Sequence, residues 1–426
     1  MFRTQPSIVA PVAAVVAPAT SAVAPVPVAP DHPHLLQNYS RAPITIARGE
    51  GCELIDTNGV RYLDMVAGIA VCALGHAHPA ITEAIAKQAA TLVQASNLFH
   101  HEPAGQLANE LAERSGLERV FFCNSGAEAN EAAIKLARKL AYRKGETQRR
   151  TIISCMGSFH GRTMGALAAT SNAKYHEGFE PLPLGFAYVP FNDIAALEAA
   201  IDETTAAFLI EPIQGESGVK PADLAYLQAA RRLCDERGAL LIFDEIQCGM
   251  GRLGKLFAFQ AIGVRPDVVT IAKALSNGVP IGAVLIDGAA ASGLQPGDHG
   301  TTFGGSPIPC AAAMAHLRFR DEHDLDAHVT AMGVRLRVGL AKIASANPAV
   351  FGAPRGRGLM LGLPVCTTHE AKAFVEVARI REHLLLNAAG ENTLRFVPPL
   401  IITEVEIDKM LLSFARVVRT VLATSS

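Results

Sequence analysis

Residues 240–273 read LLIFDEIQCGMGRLGKLFAFQAIGVRPDVVTIAK and contain two short apolar runs, each with a charged residue close behind it. Leu240–Phe243 leads directly to Asp244, and Val268–Ile271 is followed after one alanine by Lys273. Apolar runs without polar alternation are typical of strands that are covered on both faces. Because ligands in parallel α/β sheets bind outside the carboxyl ends of strands, we expect this carboxylate and this amine to share one sheet edge.

Each of these two residues has an ordinary structural explanation when it is taken singly. Asp244 is equally typical of a structural cap, and Lys273 of a solvated charge at the end of a strand. Together they suggest more, because a lysine in an apolar setting has a lowered pKa and can form Schiff bases. A carboxylate nearby can keep a pyridine nitrogen protonated. Proteins contribute this combination to the chemistry of pyridoxal phosphate (PLP), so the pattern predicts a PLP site.

The rest of the chain repeats the same alternation of strands and helices. A helix over Ala225–Arg237, closed by Gly238, lies between two apolar runs, and such a strand–helix–strand unit implies parallel pairing. Further apolar runs are Val120–Cys123, Thr151–Ser154, Ala206–Ile210 and Ala283–Ile286. We therefore predict an α/β fold in which a large domain has a mainly parallel sheet flanked by helices. A smaller α+β domain would come from both termini.

The predicted domain boundaries follow changes in composition and pattern. Residues 61–325 form the large domain, residues 326–426 the small C-terminal α+β domain, and residues 31–60 an N-terminal segment that packs with it. Residues 1–30 are predicted to be a disordered tail, because 21 of them are Ala, Val or Pro. Prolines argue against a membrane-spanning helix there, and a signal peptide is the alternative interpretation.

Composition excludes several functional classes. The 38 basic and 40 acidic residues give a net charge of −2, which offers no electrostatic basis for binding nucleic acid or an anionic membrane. Apolar residues make up 50% and charged residues 18%, which indicates a large interior or surface buried between subunits. The eight cysteines contain no CxxC pair and predict core thiols in a reducing compartment, hence a cytoplasmic location. No carboxylate or cysteine accompanies the histidines at 76, 78, 100 and 101 at metal-ligand spacing, so we interpret them as structural and predict no metal.

Two glycine-containing segments are candidates for binding a phosphate. The first is Asn124-Ser125-Gly126-Ala127, where a strand leads into a helix, and Ser125 with Glu128 predicts a capping box. An ordinary capped helix explains this segment equally well. The second is the hydroxyl-rich loop at 300–305. Along the first helix, the spacing of Glu131 and Lys135 also predicts an ion pair.

A third glycine segment, Gly249–Gly254, matches the pattern GxGxxG. It is the basis of a remote alternative, a nicotinamide-dependent oxidoreductase. Five residues separate it from the preceding strand, whereas a dinucleotide fingerprint opens a helix directly after its strand. We therefore interpret the segment as a flexible glycine loop.

Eight ordered motifs resemble the fold-type I, class III aminotransferases, which use PLP, and are most similar to the acetylornithine aminotransferase group. They are GIAVCALGHAHP (68–79), FFCNSGAEANEAAIKLAR (121–138), SFHGRT (158–163), EPIQGESG (211–218), DEIQCGMGR (244–252), AKALSNGVPIGA (272–283), GTTFGGSP (300–307) and LRFVPPL (394–400). The resemblance implies a homodimer with shared active sites. It also implies transfer of the terminal amino group of N2-acetylornithine to 2-oxoglutarate, a step of arginine biosynthesis.

The resemblance implies the following roles around the cofactor. Lys273 would attach PLP and carry the proton of the reaction, and Asp244 would pair with the ring nitrogen. Gln247 would approach the ring hydroxyl, and Phe159 would stack on the ring. The residues that would hold the phosphate are Ser125, Gly126 and Ala127, with Thr302 from the neighbouring subunit.

The resemblance also implies a substrate site. Arg162 would bind the α-carboxylate of the donor, and Arg395 the α-carboxylate of glutamate or 2-oxoglutarate. Glu216 would mask Arg395 while the terminal amine reacts, although a plain structural salt bridge is the alternative. Tyr39 would lie at the substrate entrance.

The chain departs from the family pattern at two positions that bear on substrate choice. One of them adjoins Glu216, which we call the switch glutamate because it would cover or expose Arg395. Ser217 stands where glycine is commoner, which bears on substrate preference. Ile69 stands where ornithine aminotransferases carry a tyrosine, and this favours acetylornithine over ornithine. The alternatives within the class are aminotransferases for succinylornithine, ornithine and 4-aminobutyrate.

Overall fold

The computed structural model describes residues 34–366 and 369–424. The described residues divide into two units, with the boundary between Ile46 and Ala47. The described part of the first unit is mostly exposed, and in it the Arg41 guanidinium lies 5.1 Å from the centre of the Tyr39 ring. The tail predicted over residues 1–30 lies outside the described residues.

The described chain contains the following strands and helices. The strands are β1 (Ile46–Glu50), β2 (Glu53–Asp56), β3 (Arg61–Asp64), β4 (Arg119–Cys123), β5 (Thr151–Cys155), β6 (Phe186–Val189), β7 (Thr205–Ile210), β8 (Ile213–Gln214), β9 (Lys220–Pro221), β10 (Leu240–Asp244), β11 (Val268–Ile271), β12 (Gly282–Ile286), β13 (Arg355–Arg357), β14 (Met360–Pro364), β15 (Leu384–Leu385), β16 (Asn387–Ala389) and β17 (Thr393–Phe396). The helices are α1 (Ala67–Ala70), α2 (Pro79–Thr91), α3 (Glu102–Ser115), α4 (Gly126–Arg143), α5 (Met164–Ala169), α6 (Ile194–Ala200), α7 (Leu224–Arg237), α8 (Ala258–Ile262), α9 (Gly288–Ala291), α10 (Pro307–Glu322), α11 (Leu325–Ala346), α12 (Ala371–Glu382) and α13 (Glu404–Thr424).

A seven-stranded sheet with the order β4-β12-β11-β10-β7-β5-β6 forms the centre of the molecule. Its strands are parallel except β12, which is antiparallel to both of its neighbours. The predicted α/β fold with a mainly parallel sheet is therefore confirmed. Because β4, β10 and β11 run in the same direction, their carboxyl ends meet at one sheet edge.

The central sheet is stabilised by apolar burial on both faces. All residues of β7 and β12 are buried, as the absence of polar alternation in their sequences predicts. On one face, α4 packs the side chains of Ala133, Leu136 and Leu140 into an apolar cluster with the sheet. Full burial of one leucine-sized side chain stabilises a fold by about 1.5–3 kcal/mol relative to exposure. This packing fixes the first turn of α4 against the sheet edge.

Two four-stranded sheets accompany the central sheet, and β8 and β9 form a further two-stranded sheet. One has the order β13-β14-β17-β16, and the other has the order β1-β2-β3-β15. In the latter, β15 pairs with β3 in parallel, with Leu384 opposite Leu63, so chain from both ends of the sequence builds it. The predicted division into domains at residues 60 and 325 stays a prediction.

Two predicted local interactions of α4 are wrong. The Ser125 side chain does cap the helix by accepting a hydrogen bond from the Glu128 N–H. The Glu128 carboxylate, however, accepts from the backbone and side chain of Asn124 and not from Ser125 N–H, so the capping box is not formed. Glu131 does not pair with Lys135, because its carboxylate accepts the N–H groups of Gly165 and Ala166 at the start of α5.

The glycine segment 249–254 is buried, which makes the prediction of a flexible loop wrong. The Gly251 N–H donates to Leu256 O at 3.0 Å, and the Arg252 side chain is 1% exposed and donates to two backbone carbonyls of the C-terminal region. No helix starts within the segment, since α8 begins at Ala258. A dinucleotide fingerprint needs that helix start, so the structure does not support the oxidoreductase alternative.

Of the helices in the described ranges, none combines the length and the apolar character that crossing a bilayer requires.

Candidate active site

A cavity of about 390 Å³ opens at the carboxyl edge of the central sheet. Its walls come from the segments that follow β4, β5, β10 and β11 and from residues 278–281. Most of the predicted cofactor residues line it: Ser125, Gly126, Ala127, Phe159, Asp244, Gln247 and Lys273. Arg162 lines it as well. The structure thus brings together residues that are separated by almost 150 positions in the sequence.

Asp244, the last residue of β10, is 4% exposed and its carboxylate is held from three directions. Its Oδ2 atom accepts hydrogen bonds from Asn130 Nδ2 at 2.7 Å and from His160 Nδ1 at 2.8 Å. Its Oδ1 atom accepts from the Ile246 N–H at 3.0 Å. These three donors fix the direction of the carboxylate at the wall of the cavity.

Asn130 and His160 were not predicted as site residues. Asn130 is fully buried on α4, and its Oδ1 atom accepts from the Thr270 hydroxyl at 2.8 Å, which fixes the orientation of the amide. His160 has no hydrogen bond from Nε2 within the described residues, so Asp244 is the polar partner of its ring. The signal that could have identified Asn130 is its position as a polar residue on the apolar face of an amphipathic helix.

Lys273 lies at the wall of the cavity with a backbone φ of 36°. This left-handed conformation costs on the order of 1 kcal/mol for a residue with a side chain, and strain of this kind is common at functional sites. Within the described residues its Nζ atom has no hydrogen-bond or ion-pair partner. Burial lowers the pKa of Lys273, although nearby Glu216 and Asp244 oppose the effect. An unpaired amine with a lowered pKa is suited to nucleophilic attack on a carbonyl.

The first turn of α4 faces the cavity from the side of β4. The N–H groups of Gly126 and Ala127 make no hydrogen bond to the described residues, as is usual for the first turn of a helix. A Cβ atom on Gly126 would lie 2.8 Å from the Ile246 side chain, so this position has room only for glycine. The helix dipole and the free N–H groups make this wall of the cavity favourable for a phosphate.

Phe159 and Arg162 form the wall that follows β5. Their segment is fixed because the Phe159 N–H donates to the buried Glu211 carboxylate at 3.0 Å. The Arg162 guanidinium lies 3.8 Å from the centre of the Tyr175 ring and is exposed at the cavity. Within the described residues it has no carboxylate partner. It is therefore free to bind the carboxylate of a small molecule.

Glu211 is the first residue of the motif at 211–218, and no role was predicted for it. Its second carboxylate oxygen accepts the Gly215 N–H at 3.2 Å, so the side chain joins the Phe159 segment to the loop that carries Glu216. Burial, and then the charge of Asp244, raise the pKa of Glu211 well above its usual value.

A second arginine, Arg395, contacts the cavity residue Gln247 and is covered by Glu216. Arg395 is 1% exposed, and its Nη1 atom donates to Glu216 Oε1 at 2.5 Å, to Gln247 Oε1 at 3.0 Å and to Gly215 O at 3.1 Å. Gln247 Nε2 also donates to Glu216 Oε1 at 3.0 Å. Burial disfavours the charged form of Glu216, but Arg395, Lys273 and Gln247 outweigh it and lower the pKa. Gln247, which lines the cavity, connects this pair to it.

The predicted site residues Glu216, Arg395 and Thr302 do not line the cavity. Thr302 lies in an exposed loop, and its backbone carbonyl accepts from Gln94 Nε2 at 2.8 Å. Tyr39 is exposed in the first unit of the chain. Their roles stay predictions.

The described residues contain no group of histidine, cysteine and carboxylate side chains that could hold a metal ion. Two of the four histidines considered as ligands have other neighbours. His76 Nε2 lies 2.8 Å from Asp64 Oδ2, and His78 packs edge-on against Phe319.

The cavity fits the PLP predicted from the sequence. It offers unpaired N–H groups for a phosphate, an aromatic wall, a fixed buried carboxylate and an unpaired amine with a lowered pKa. These are the groups by which proteins bind and tune this cofactor.

Comparison with known proteins gives a consistent picture. Residues 36–418 match the family described as aminotransferase class-III. An acetylornithine aminotransferase from Thermosynechococcus vestitus is 48% identical over 389 residues, which cover 90% of this chain and 94% of that protein. Among solved structures, the N-acetylornithine aminotransferase from Stenotrophomonas maltophilia is 40% identical with a TM-score of 0.79, over 91% of this chain and 98% of that chain. An ornithine aminotransferase from Toxoplasma gondii, described as having partial occupancy of PLP at its active site, is 34% identical with a TM-score of 0.89, over 93% of this chain and 94% of that chain.

Proposed function

Because this chain belongs to the class-III aminotransferases, whose cofactor is PLP, we propose that it moves the terminal amino group of N2-acetylornithine to 2-oxoglutarate. The products are N-acetylglutamate 5-semialdehyde and glutamate, and the reaction is a step of arginine biosynthesis. The observation that carries this proposal is the Glu216–Arg395 pair, at 2.5 Å, connected to the cavity through Gln247. In this pair, Arg395 is a cation that could bind a carboxylate, and Glu216 covers it. An enzyme that handles both a terminal amine and an α-amine needs such an arginine to be covered for one substrate and exposed for the other.

The wall residues would hold the cofactor by distinct contacts. Ser125, Gly126 and Ala127 would bind the phosphate at the α4 N-terminus, Phe159 would stack on the ring, and Gln247 would approach its hydroxyl. When bound, PLP supplies an electron sink for the carbon that loses its proton. The charge of Asp244, fixed by its hydrogen bonds, would keep the ring nitrogen protonated and so support that role.

Lys273 would attach the cofactor and then serve as the general base. Its amine, once released from the cofactor, would take the proton from the substrate carbon and deliver it to the C4′ atom of the cofactor. A base is most effective when its pKa lies near the working pH, and burial moves the pKa of Lys273 in that direction.

Two arginines would divide the work of binding carboxylates. Arg162, exposed in the cavity, would bind the α-carboxylate of N2-acetylornithine and leave the distal amine near Lys273. With glutamate, Glu216 would move away and Arg395 would bind the α-carboxylate. Arginine suits both positions, since its planar guanidinium can donate two parallel hydrogen bonds to a carboxylate.

The test follows the donor half-reaction by the visible absorption of the bound cofactor. The purified protein is titrated separately with N2-acetylornithine, ornithine, 4-aminobutyrate and glutamate, first as the parent and then as Glu216→Ala. We expect N2-acetylornithine to react at the lowest concentration, and Glu216→Ala to raise the reactivity of glutamate relative to N2-acetylornithine. Competing donors of this class differ by pocket contacts worth about 1–3 kcal/mol each, so the ranking is measurable. A lower concentration for another donor, or an unchanged ratio in Glu216→Ala, would contradict the proposal.

The active enzyme would be a homodimer in which Thr302 completes the phosphate site of the neighbouring subunit. This proposal is supported by large exposed apolar side chains near that loop, namely Leu98, Phe99 and Phe303. The Asn97 side chain donates to the carbonyls of Thr301 and Gly304, which connects the two segments. Exposed apolar patches mark interaction surfaces.

A hybrid-dimer experiment tests the shared site. We expect Lys273→Ala and a Thr302→Glu variant to be inactive alone, whereas a refolded mixture regains activity because one site of the hybrid has both intact residues. A mixture that remains as inactive as its components would contradict the shared site.

We place the enzyme in the cytoplasm, because its eight cysteines are unpaired thiols and six of them are buried. N-terminal sequencing of the protein from cells tests this location, since cleavage within residues 1–30 would indicate export.

A further inference from the structure

The loop that carries the switch glutamate is fixed to the segment that follows β5. The Ser217 hydroxyl donates a hydrogen bond to the Gly157 carbonyl, and Gln214 Nε2 donates to the Met156 carbonyl at 2.9 Å. A Cβ atom on Gly157 would lie 2.9 Å from Ser217 Oγ, so the serine side chain packs directly on this glycine. Ser217 is the immediate neighbour of Glu216, and its contact therefore acts on the backbone of the switch.

The opposite side of Ser217 is in contact with the C-terminal region. A Cβ atom on Gly390 would lie 2.7 Å from the Ser217 carbonyl carbon. The next carbonyl, that of Gly218, accepts a hydrogen bond from Arg355 Nε at 2.7 Å. The backbone that follows Glu216 is thus packed from both sides, which restricts its movement away from Arg395.

We propose that Ser217 is a positioning residue that determines specificity, because its hydrogen bond to Gly157 holds Glu216 in contact with Arg395. This inference rests on the proposed function, in which Glu216 and Arg395 separate for glutamate and stay paired for N2-acetylornithine. By favouring the paired arrangement, Ser217 raises the preference for the terminal amine and lowers the preference for glutamate.

The first measurement is the ratio of kcat/KM for glutamate to kcat/KM for N2-acetylornithine in Ser217→Ala. The net free energy of a neutral hydrogen bond corresponds to a factor of about three to ten in an equilibrium constant. We expect the ratio of the two kcat/KM values to rise by this factor. Ser217→Gly, which also removes the packing of the Cβ atom, should raise the ratio at least as much. A ratio that is unchanged or lower in both variants would overturn the inference.

The matched control is Ser171→Ala. The Ser171 hydroxyl accepts the Gly157 N–H at 2.7 Å, so this variant disturbs the same glycine without touching the switch loop. We expect its ratio to stay within about twofold of the parent, which is less than the loss of one net hydrogen bond. A shift as large as that of Ser217→Ala would assign the effect to the Gly157 segment and overturn the role of Ser217.

The Glu216→Ala background separates this inference from the proposed function. If Ser217 acts through the switch, Ser217→Ala changes the ratio in the parent but not in Glu216→Ala. A change of equal size in both backgrounds would overturn the inference. If Glu216→Ala itself leaves the ratio unchanged, the switch and the proposed function fail, whereas a response to Glu216→Ala without a response to Ser217→Ala defeats only the inference.

Discussion

Replacement of Asn130 by alanine removes a side chain that fixes the Asp244 carboxylate. Three hydrogen bonds are lost, to Asp244 Oδ2 at 2.7 Å, to His160 O at 2.7 Å and from the Thr270 hydroxyl at 2.8 Å. A hydrogen bond to a charged group contributes about 1.5–3 kcal/mol and a neutral one about 0.5–1.5 kcal/mol. Asp244 keeps two other donors, so we expect the free energy of unfolding to fall by about 3 kcal/mol.

Two further substitutions should destabilise the same network by a smaller and by a larger amount. Thr270→Val removes only the hydroxyl that orients the Asn130 amide, and we expect a loss of about 1 kcal/mol. Asn130→Asp introduces a second buried carboxyl beside Asp244, where two like charges cannot both ionise. It should therefore destabilise more than Asn130→Ala, although it is nearly identical in shape to the parent side chain.

The assay is urea unfolding of the PLP-free and the PLP-bound protein, with the rate of PLP loss as a second readout. We expect the order of stability to be parent, Thr270→Val, Asn130→Ala and then Asn130→Asp, with PLP lost faster from the last two. If the free energies of unfolding of all three variants lie within about 1 kcal/mol of the parent value, the buried hydrogen bonds do not stabilise the fold as their geometry implies.

The remaining predictions concern the substrate site and the dependence of stability on pH. Arg162→Lys should raise the KM for N2-acetylornithine at least about tenfold with a smaller change in kcat, because an ammonium group cannot donate two parallel hydrogen bonds; steady-state kinetics with an unchanged KM would contradict the assignment. Burial lowers the pKa of His316 from 6.5 to about 4, and nearby Arg320 adds to the effect. The unfolded chain therefore binds a proton that the folded protein excludes, so this group reduces stability as the pH falls from about 6.5 to about 4. His316→Gln should make the unfolding free energy less steep over this range, and an unchanged slope would show that His316 does not titrate on unfolding.

The strands were predictable because burial on both faces requires a continuous run of apolar residues, which is visible in the sequence. Leu240–Phe243 and Val268–Ile271 occur as continuous apolar runs, and their parallel pairing brings Asp244 and Lys273 to one edge as expected. The direction of β12 was not predictable, since an apolar run carries no information about which way the strand points. Parallel and antiparallel partners of β12 would bury the same side chains.

Side-chain partners were less predictable than strands. The spacing of Glu131 and Lys135 allows an ion pair worth a few tenths of a kcal/mol, roughly 0.2–0.5. The free N–H groups at the start of α5 are better partners for the Glu131 carboxylate, but only the fold brings them near. Thr302 shows a different limit, because the role proposed for it requires a second subunit, and one chain does not test that role.

The most direct test of the account is to locate the cofactor on the chain. Borohydride reduction of the PLP-bound protein makes a lysine–PLP linkage permanent, and peptide mass spectrometry then identifies the modified residue. We predict modification of Lys273 alone, and no stable modification in Lys273→Ala. Modification of a different lysine in the parent protein, or of none, would contradict the assignment of the cavity at the sheet edge as the catalytic site.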